Sequence, residues 1–102
     1  MIHAVVFRDF RGQIKKFRII GHSDYEEAGR DIVCAAVSAI TQTAVLGLID
    51  VVGIKVDYQQ KKGNVECVIT EEISAVDREK VTIVLETMVC GLKSIQAGYS
   101  EY

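Results

Sequence analysis

The stretch DIVCAAVSAITQTAVLGLIDV, residues 31 to 51, decides the fold of this 102-residue chain. It is too long for a β-strand, and its alanine, leucine and isoleucine content favours a helix that is mostly buried. An apolar helix has to bury its side chains against another element. The segments on either side of it therefore determine the architecture.

Two hairpins are predicted, one before and one after this helix. Residues 2–8 and 14–20 are rich in β-branched and aromatic types, and the turn signal DFRG separates them. Residues 54–60, IKVDYQQ, alternate apolar and polar side chains, and the turn KKGN leads into VECVIT at 65–70. Each pair predicts two antiparallel strands joined by a short turn.

A second helix follows the second hairpin. Ser74 has the character of an N-cap, Gly98 is a candidate stop, and the apolar positions 81, 84, 85, 88, 92 and 95 trace a helical stripe. The order ββαββα predicts an α+β fold in which two helices pack on a four-stranded antiparallel sheet. We expect one domain over residues 1–102.

Composition excludes several classes of protein. Apolar residues make up 49% of the chain, which suffices for a small core, and a net charge of −2 gives no bulk attraction to nucleic acid. We expect no membrane span, because polar residues interrupt every apolar run, and no signal peptide, which predicts a cytoplasmic protein. Three cysteines without metal-ligand spacing predict free thiols and no metal or other cofactor.

A stripe of polar side chains interrupts the first helix. Asp31, Cys34, Ser38, Thr41 and Gln42 recur at spacings of three and four, which places them on one side of a helix. The stripe can simply face water, but cysteine is a poor choice for a solvent face because it is usually buried or reactive. Cys34 is therefore a candidate nucleophile.

The start of the helix supplies further parts of a cysteine hydrolase. Asp31 as N-cap would place Cys34 in the first turn, where free amides and the helix dipole favour a thiolate and can bind an oxyanion. His22 lies between the second strand and the helix, so an imidazole base is available in sequence. The bland interpretation is a packed thiol beside a surface histidine.

The segment SDYEEAGR, which follows His22, allows two interpretations. Ser23 and Glu26 have capping-box spacing, which indicates a short helical turn. Gly21 and Gly29 are also permissive hinges, which indicates a mobile loop covering a site. The residues favour neither.

GHSDYEEAGRDIVCAAVSAITQTAVLGL, residues 21–48, closely resembles the signature of the bacterial ribosomal-processing cysteine protease family, Prp. The matching residues are Gly21, His22, Asp31, Cys34 and Ser38, and DIVCAAVS is the most specific part. The opening hairpin, the length and the ββαββα order also fit the family.

The resemblance implies a cysteine endopeptidase with a Cys-His dyad, in which Cys34 is the nucleophile and His22 the base. It implies a substrate, namely a large-subunit ribosomal protein, number twenty-seven, which loses a short N-terminal extension during ribosome maturation, and it implies a homodimer. Asp31 would orient the histidine, cap the helix or do both. Ser38 would line the peptide site or bond back to its own helix.

A non-catalytic ribosome-assembly or RNA-binding module is the second hypothesis. It depends on the cations of the first hairpin, Arg8, Arg11, Lys15, Lys16 and Arg18, which otherwise form a solvated strand face. Nucleic acid is thus a possible partner, but catalysis does not require one. Of the other two cysteines, Cys67 is expected in the core. Cys90 is also expected in the core, and a position facing a partner helix is the alternative.

Overall fold

The structure, a computed structural model, describes residues 2–21, 28–61, 63–70 and 72–98, and for residues 28–31 it describes the backbone alone. Its elements confirm the predicted ββαββα order and the α+β fold. In chain order they are β1 His3–Arg8, β2 Ile14–Ile20, α1 Ala28–Leu46, β3 Val56–Lys61, β4 Asn64–Ile69 and α2 Ala75–Gly98.

The four strands form one sheet in the order β1-β2-β4-β3, and every neighbouring pair is antiparallel. The inner pair joins the two hairpins, with Ile20 at the end of β2 opposite Asn64 at the start of β4. The β3–β4 turn therefore lies at the same end of the sheet as the end of β2. This arrangement positions the candidate site described below.

A row of apolar side chains crosses the inner face of the sheet. Val6 is paired with Phe17, Phe17 with Cys67, and Cys67 with Tyr58 on the far strand. Phe17 and Cys67 are 1% and 0% exposed. Burying a phenyl ring in this way stabilises the fold by about 1.5–3 kcal/mol relative to its exposure. Cys67 is a core residue, as the sequence predicts.

The second helix begins and packs as expected. The Ser74 hydroxyl oxygen accepts the amide of Asp77 at 3.1 Å, which confirms Ser74 as the N-cap. Val81, Leu85 and Met88 of the predicted stripe are buried in the core. The two helices approach closely at Gly91 of α2, where an added Cβ would lie 3.1 Å from Cδ1 of Ile40 on α1.

A π-helical segment, Gly47–Val52, continues α1 and was not evident from the sequence. Gly53 ends it with φ of 84°, a left-handed conformation that glycine adopts without strain. The amides of Gly53 and Ile54 both donate to the carbonyl oxygen of Leu48, at 3.0 and 3.1 Å. The chain thereby turns directly into β3, and Leu48 is fully buried beneath the turn.

The expectation that the first helix is mostly buried is wrong. Leu46, Ile49 and Val51 are 56%, 43% and 83% exposed, because α1 and the π-helical segment contact the core along one face only. Among the described residues, the stretch Ile32–Val52 is also long and apolar enough to cross a membrane by length and composition alone, with 28% of it buried. Interruption by polar residues therefore does not exclude a span, although core helices of soluble proteins pass the same test.

Candidate functional site

A cavity of about 430 Å³ opens between the sheet and the N-terminal half of α1. The end of β2 contributes Ile19 and Gly21 to its wall, and α1 contributes Cys34, Val37 and Ser38. Its volume lies within the range of small-molecule and peptide side-chain pockets. The cavity therefore brings a thiol, a hydroxyl and an apolar surface together at one end of the sheet.

The structure places three of the five predicted site residues on this wall. Cys34 and Ser38 lie one turn apart on α1, and Gly21 faces them from the end of β2. His22 lies outside the described residues, and so does the side chain of Asp31. The dyad and the contacts of Asp31 therefore stay predictions, as does the choice between a lid and a helical turn for residues 22–27.

The three thiols have different surroundings. Cys34 is half-buried in the cavity wall, Cys67 is fully buried in β4, and Cys90 is exposed on α2, so the expectation of a core position for Cys90 is wrong. Burial, with the nearby Asp57 carboxylate, raises the pKa of the Cys67 thiol to about 12. Of the three thiols, only that of Cys34 is both accessible to solvent and on the wall of the cavity.

The helix α1 starts earlier in the chain than predicted, which changes the hydrogen bonding of the Cys34 amide. The helix α1 begins at Ala28, three residues before Asp31, so the prediction that Asp31 is the N-cap is wrong. Cys34 is consequently in the second turn, where its amide bonds to the carbonyl of residue 30. The amide of Cys34 is therefore not one of the free amides of a helix start.

A hydrogen bond between two glycines closes the end of the cavity. The amide of Gly21 donates to the carbonyl oxygen of Gly63, in the β3–β4 turn, at 2.9 Å. Both residues have positive φ, 100° and 76°. A side chain at either position would be strained, and the hydrogen bond between these glycines holds the end of β2 against the second hairpin.

The second hairpin supplies the part of the wall that the sequence did not reveal. Gln60, Lys61, Asn64 and Val65 line the cavity around the β3–β4 turn. The turn signal KKGN was recognised, but its proximity to Cys34 depends on the strand order, which the sequence does not contain. With β4 beside β2, the turn necessarily lies beside Gly21.

The cavity has an apolar floor and a polar rim. Ile2, Ile19, Val37 and Val65 form apolar surface, and amide, hydroxyl and ammonium groups of other lining residues surround it. Such a site binds an apolar side chain of a peptide while polar groups hydrogen-bond its backbone. Among the described residues, no group of three or more His, Cys, Asp and Glu is placed to hold a metal ion.

The cations of the first hairpin lie away from the cavity and are largely paired. Arg8 donates twice to the carboxylate of Glu86 on α2, at 2.6 and 3.0 Å, and Arg18 donates to Glu66 at 2.6 Å. The Arg18 hydrogen bond also lowers the pKa of Glu66. Arg8 and Arg18 therefore make intramolecular ion pairs that join the first hairpin to α2 and to β4.

Comparisons with known proteins agree on one kind of protein. The family model described as "Cysteine protease Prp" matches residues 1–102. The ribosomal processing cysteine protease Prp of Bacillus subtilis strain 168 is 29% identical over 103 residues, with 99% of this chain and 92% of that protein covered.

Two crystal structures of an essential ribosomal processing protease Prp from S. aureus have a similar fold. The complex with a substrate peptide has a TM-score of 0.85 at 24% identity, and the complex with a covalently linked product peptide has 0.82 at 25% identity. Each covers 99% of this chain and 93% of the S. aureus chain.

Proposed function

The chain belongs to the cysteine protease Prp family, and from that premise we propose a specific reaction for it. It is an endopeptidase that removes a short N-terminal extension from a large-subunit ribosomal protein, number twenty-seven, during ribosome maturation. The relatives named above are ribosomal processing cysteine proteases, which supports a ribosomal substrate. The identity of that ribosomal protein comes from the resemblance of residues 21–48 to the family signature.

One observation supports the assignment of the nucleophile above all others. Cys34 is the half-buried thiol on the wall of the cavity, whereas Cys67 is sealed in the core and Cys90 lies on α2 away from it. A nucleophilic thiol has to meet a peptide bond, and only a cavity with an apolar floor and a polar rim holds a peptide there. Cys34 satisfies both requirements.

The proposed mechanism uses Cys34 and His22 as a dyad. The thiolate sulfur attacks the scissile carbonyl carbon, and the carbonyl oxygen takes up the negative charge. The protonated imidazole of His22 gives its proton to the leaving amine as the carbon–nitrogen bond breaks. Water then hydrolyses the thioester and releases the extension. His22 directly follows Gly21, a residue of the cavity wall, which supports its role as the base.

The test is cleavage of the ribosomal protein carrying its extension, followed by mass spectrometry of both products. We expect cleavage by the wild-type protein and none by Cys34→Ala or His22→Ala. The matched control is Cys90→Ala, which removes a thiol outside the cavity and should leave the rate unchanged. Cleavage by Cys34→Ala at the wild-type rate would overturn the proposal.

We further propose that the protein is a homodimer. Exposed apolar side chains lie on both helices, at Ile32 and Leu46 of α1 and at Val76 and Ile83 of α2, and a second copy would cover them. Light scattering should give a mass near twice 11.3 kDa. Ile83→Glu should shift the protein toward the monomer, whereas Val5→Glu, on the outer sheet face, should not. A monomeric wild-type protein contradicts this proposal.

We place this activity in the cytoplasm, where three unpaired thiols stay reduced. The second hypothesis, a non-catalytic ribosome-assembly or RNA-binding module, has less support. It depends on the cations of the first hairpin, and the two arginines Arg8 and Arg18 are committed to Glu86 and Glu66. A gel shift of ribosomal RNA by the protein at physiological salt would support this second hypothesis.

A further inference from the structure

Peptide hydrolysis at Cys34 requires a hydrogen-bond donor for the oxyanion, and the backbone amides of Cys34 and Gly21 already donate to other groups. The amide of Cys34 is bonded within α1, because the helix starts at Ala28. The amide of Gly21 donates to Gly63 at 2.9 Å. Among the described residues, the side-chain donors on the cavity wall are the remaining candidates.

Among the side chains of the second hairpin, Gln60 has the appropriate position. It lies opposite Val65 in the pairing of β3 with β4, and both residues line the cavity. By strand alternation it shares the inner face with Tyr58, whereas Lys61 and Asn64 belong to the outer-face series. Gln60 is exposed, so a bound peptide can reach its amide without displacing the core.

A neighbouring hydroxyl favours one orientation of this amide. The Tyr58 hydroxyl donates a long hydrogen bond, 3.5 Å, to Oε1 of Gln60, and this contact places Oε1 on the side of the tyrosine. The opposite group, Nε2, carries two N–H donors. Among the described residues Nε2 donates to no protein acceptor, so its hydrogens are available at the cavity.

We propose that Nε2 of Gln60 donates a hydrogen bond to the oxyanion of the tetrahedral intermediate formed at Cys34, with Tyr58 as a positioning residue. As the carbon–sulfur bond forms, the electron pair of the carbonyl bond moves to oxygen, and Gln60 stabilises the resulting charge. The charge returns to re-form the carbonyl when the amine departs with the proton from His22. This inference rests on the proposed peptidase function.

The first test compares Gln60→Ala with the wild-type protein and with Gln59→Ala. Gln59 is the adjacent exposed glutamine, paired with Glu66 on the outer face, so it serves as the matched control. We expect Gln60→Ala to lower kcat by about 10²-fold, as loss of one oxyanion donor does, with little change in KM. Gln59→Ala should keep the wild-type kcat. Tyr58→Phe should give a smaller loss in kcat.

The second measurement separates an oxyanion role from general peptide binding. A peptide aldehyde carrying the sequence before the cleaved bond forms a hemithioacetal with Cys34 and imitates the tetrahedral intermediate. Its inhibition constant should rise in Gln60→Ala by about the same factor as kcat falls. Binding of the uncleaved peptide to Cys34→Ala should be the same with and without Gln60→Ala.

The outcomes are distinct. If Gln60→Ala, folded by circular dichroism, cleaves at the wild-type rate, or if its loss lies in KM with aldehyde inhibition unchanged, the oxyanion role is refuted while the peptidase function stands. If the wild-type protein cleaves no substrate, the proposed function itself fails. A parallel loss in kcat and in aldehyde affinity, confined to Gln60, supports the inference.

Discussion

Replacing Gly21 with alanine should lower both stability and activity, because Gly21 has a φ of 100° and lies beside the cavity. An L-residue forced into a left-handed conformation costs roughly 1–2 kcal/mol. If the backbone relaxes instead, the hydrogen bond from Gly21 to Gly63 weakens, which has a net cost of about 0.5–1.5 kcal/mol. In a domain of this size, 1 kcal/mol lowers Tm by about 4–8 °C.

Gly12 offers a matched control for this experiment. It has φ of 83° in the β1–β2 turn, at the opposite end of the sheet, and an added Cβ there would meet nothing within 4 Å. Its amide also donates to a backbone carbonyl, that of Asp9, at 2.9 Å. Gly12→Ala should therefore reproduce the backbone strain without disturbing the cavity.

The assays are urea unfolding and the kcat/KM for cleavage of the extended substrate. Both variants should lose about 1–2 kcal/mol of unfolding free energy. Only Gly21→Ala should lose activity, by up to about 10²-fold, because a shift of the following residue, His22, by a fraction of an ångström to 1 Å misaligns the reacting groups. Full kcat/KM in Gly21→Ala, or an equal loss of kcat/KM in Gly12→Ala, would show that the conformation of Gly21 does not position the reacting groups.

Three further predictions concern reactivity, pH and packing. Iodoacetamide should label Cys67 of the native protein far more slowly than Cys34, because Cys67 is fully buried and burial raises the pKa of its thiol to about 12. Equal labelling rates in peptide mapping would contradict this. The hydrogen bond from Arg8 holds the pKa of Glu86 below its usual 4.5. The wild-type protein should therefore be more stable than Glu86→Gln at pH 7, and this difference should vanish as the pH falls through the lowered pKa of Glu86. Urea titrations at pH 7 and pH 3 measure the difference, and a difference that does not depend on pH would contradict the prediction. Leu48→Ala should cost about 2–5 kcal/mol in urea unfolding, since Leu48 is 0% exposed, and a cost under 1 kcal/mol would show that the π-helical turn collapses to fill the space.

Local patterns in the sequence were enough to predict the fold. Both hairpins, the N-cap at Ser74 and the buried stripe of α2 follow from alternation, turn residues and helical spacing, all of which act over a few residues. The start of α1 did not follow, because Asp31 is a good cap residue in isolation and the chain nevertheless continues the helix back to Ala28. The role assigned to the Cys34 amide fails for the same reason.

The candidate site was predicted in part. The pattern of Gly21, Cys34 and Ser38 places these residues at one strand end and one helix face, which is local information. The wall formed by Gln60 and its neighbours depends on β4 pairing with β2, a contact between residues more than forty positions apart. Burial of Cys90 was also mispredicted, since helical spacing alone does not show where the partner surface ends.

Intact-mass spectrometry of an acid-quenched reaction shows whether Cys34 forms a covalent bond to the substrate. We expect a transient adduct that adds the mass of the released extension less one water, as a thioester does, that maps by peptide digestion to Cys34 and that is absent from Cys34→Ala. Product formation by Cys34→Ala, or an adduct that maps to Cys67 or Cys90, would contradict the assignment of Cys34 as the nucleophile.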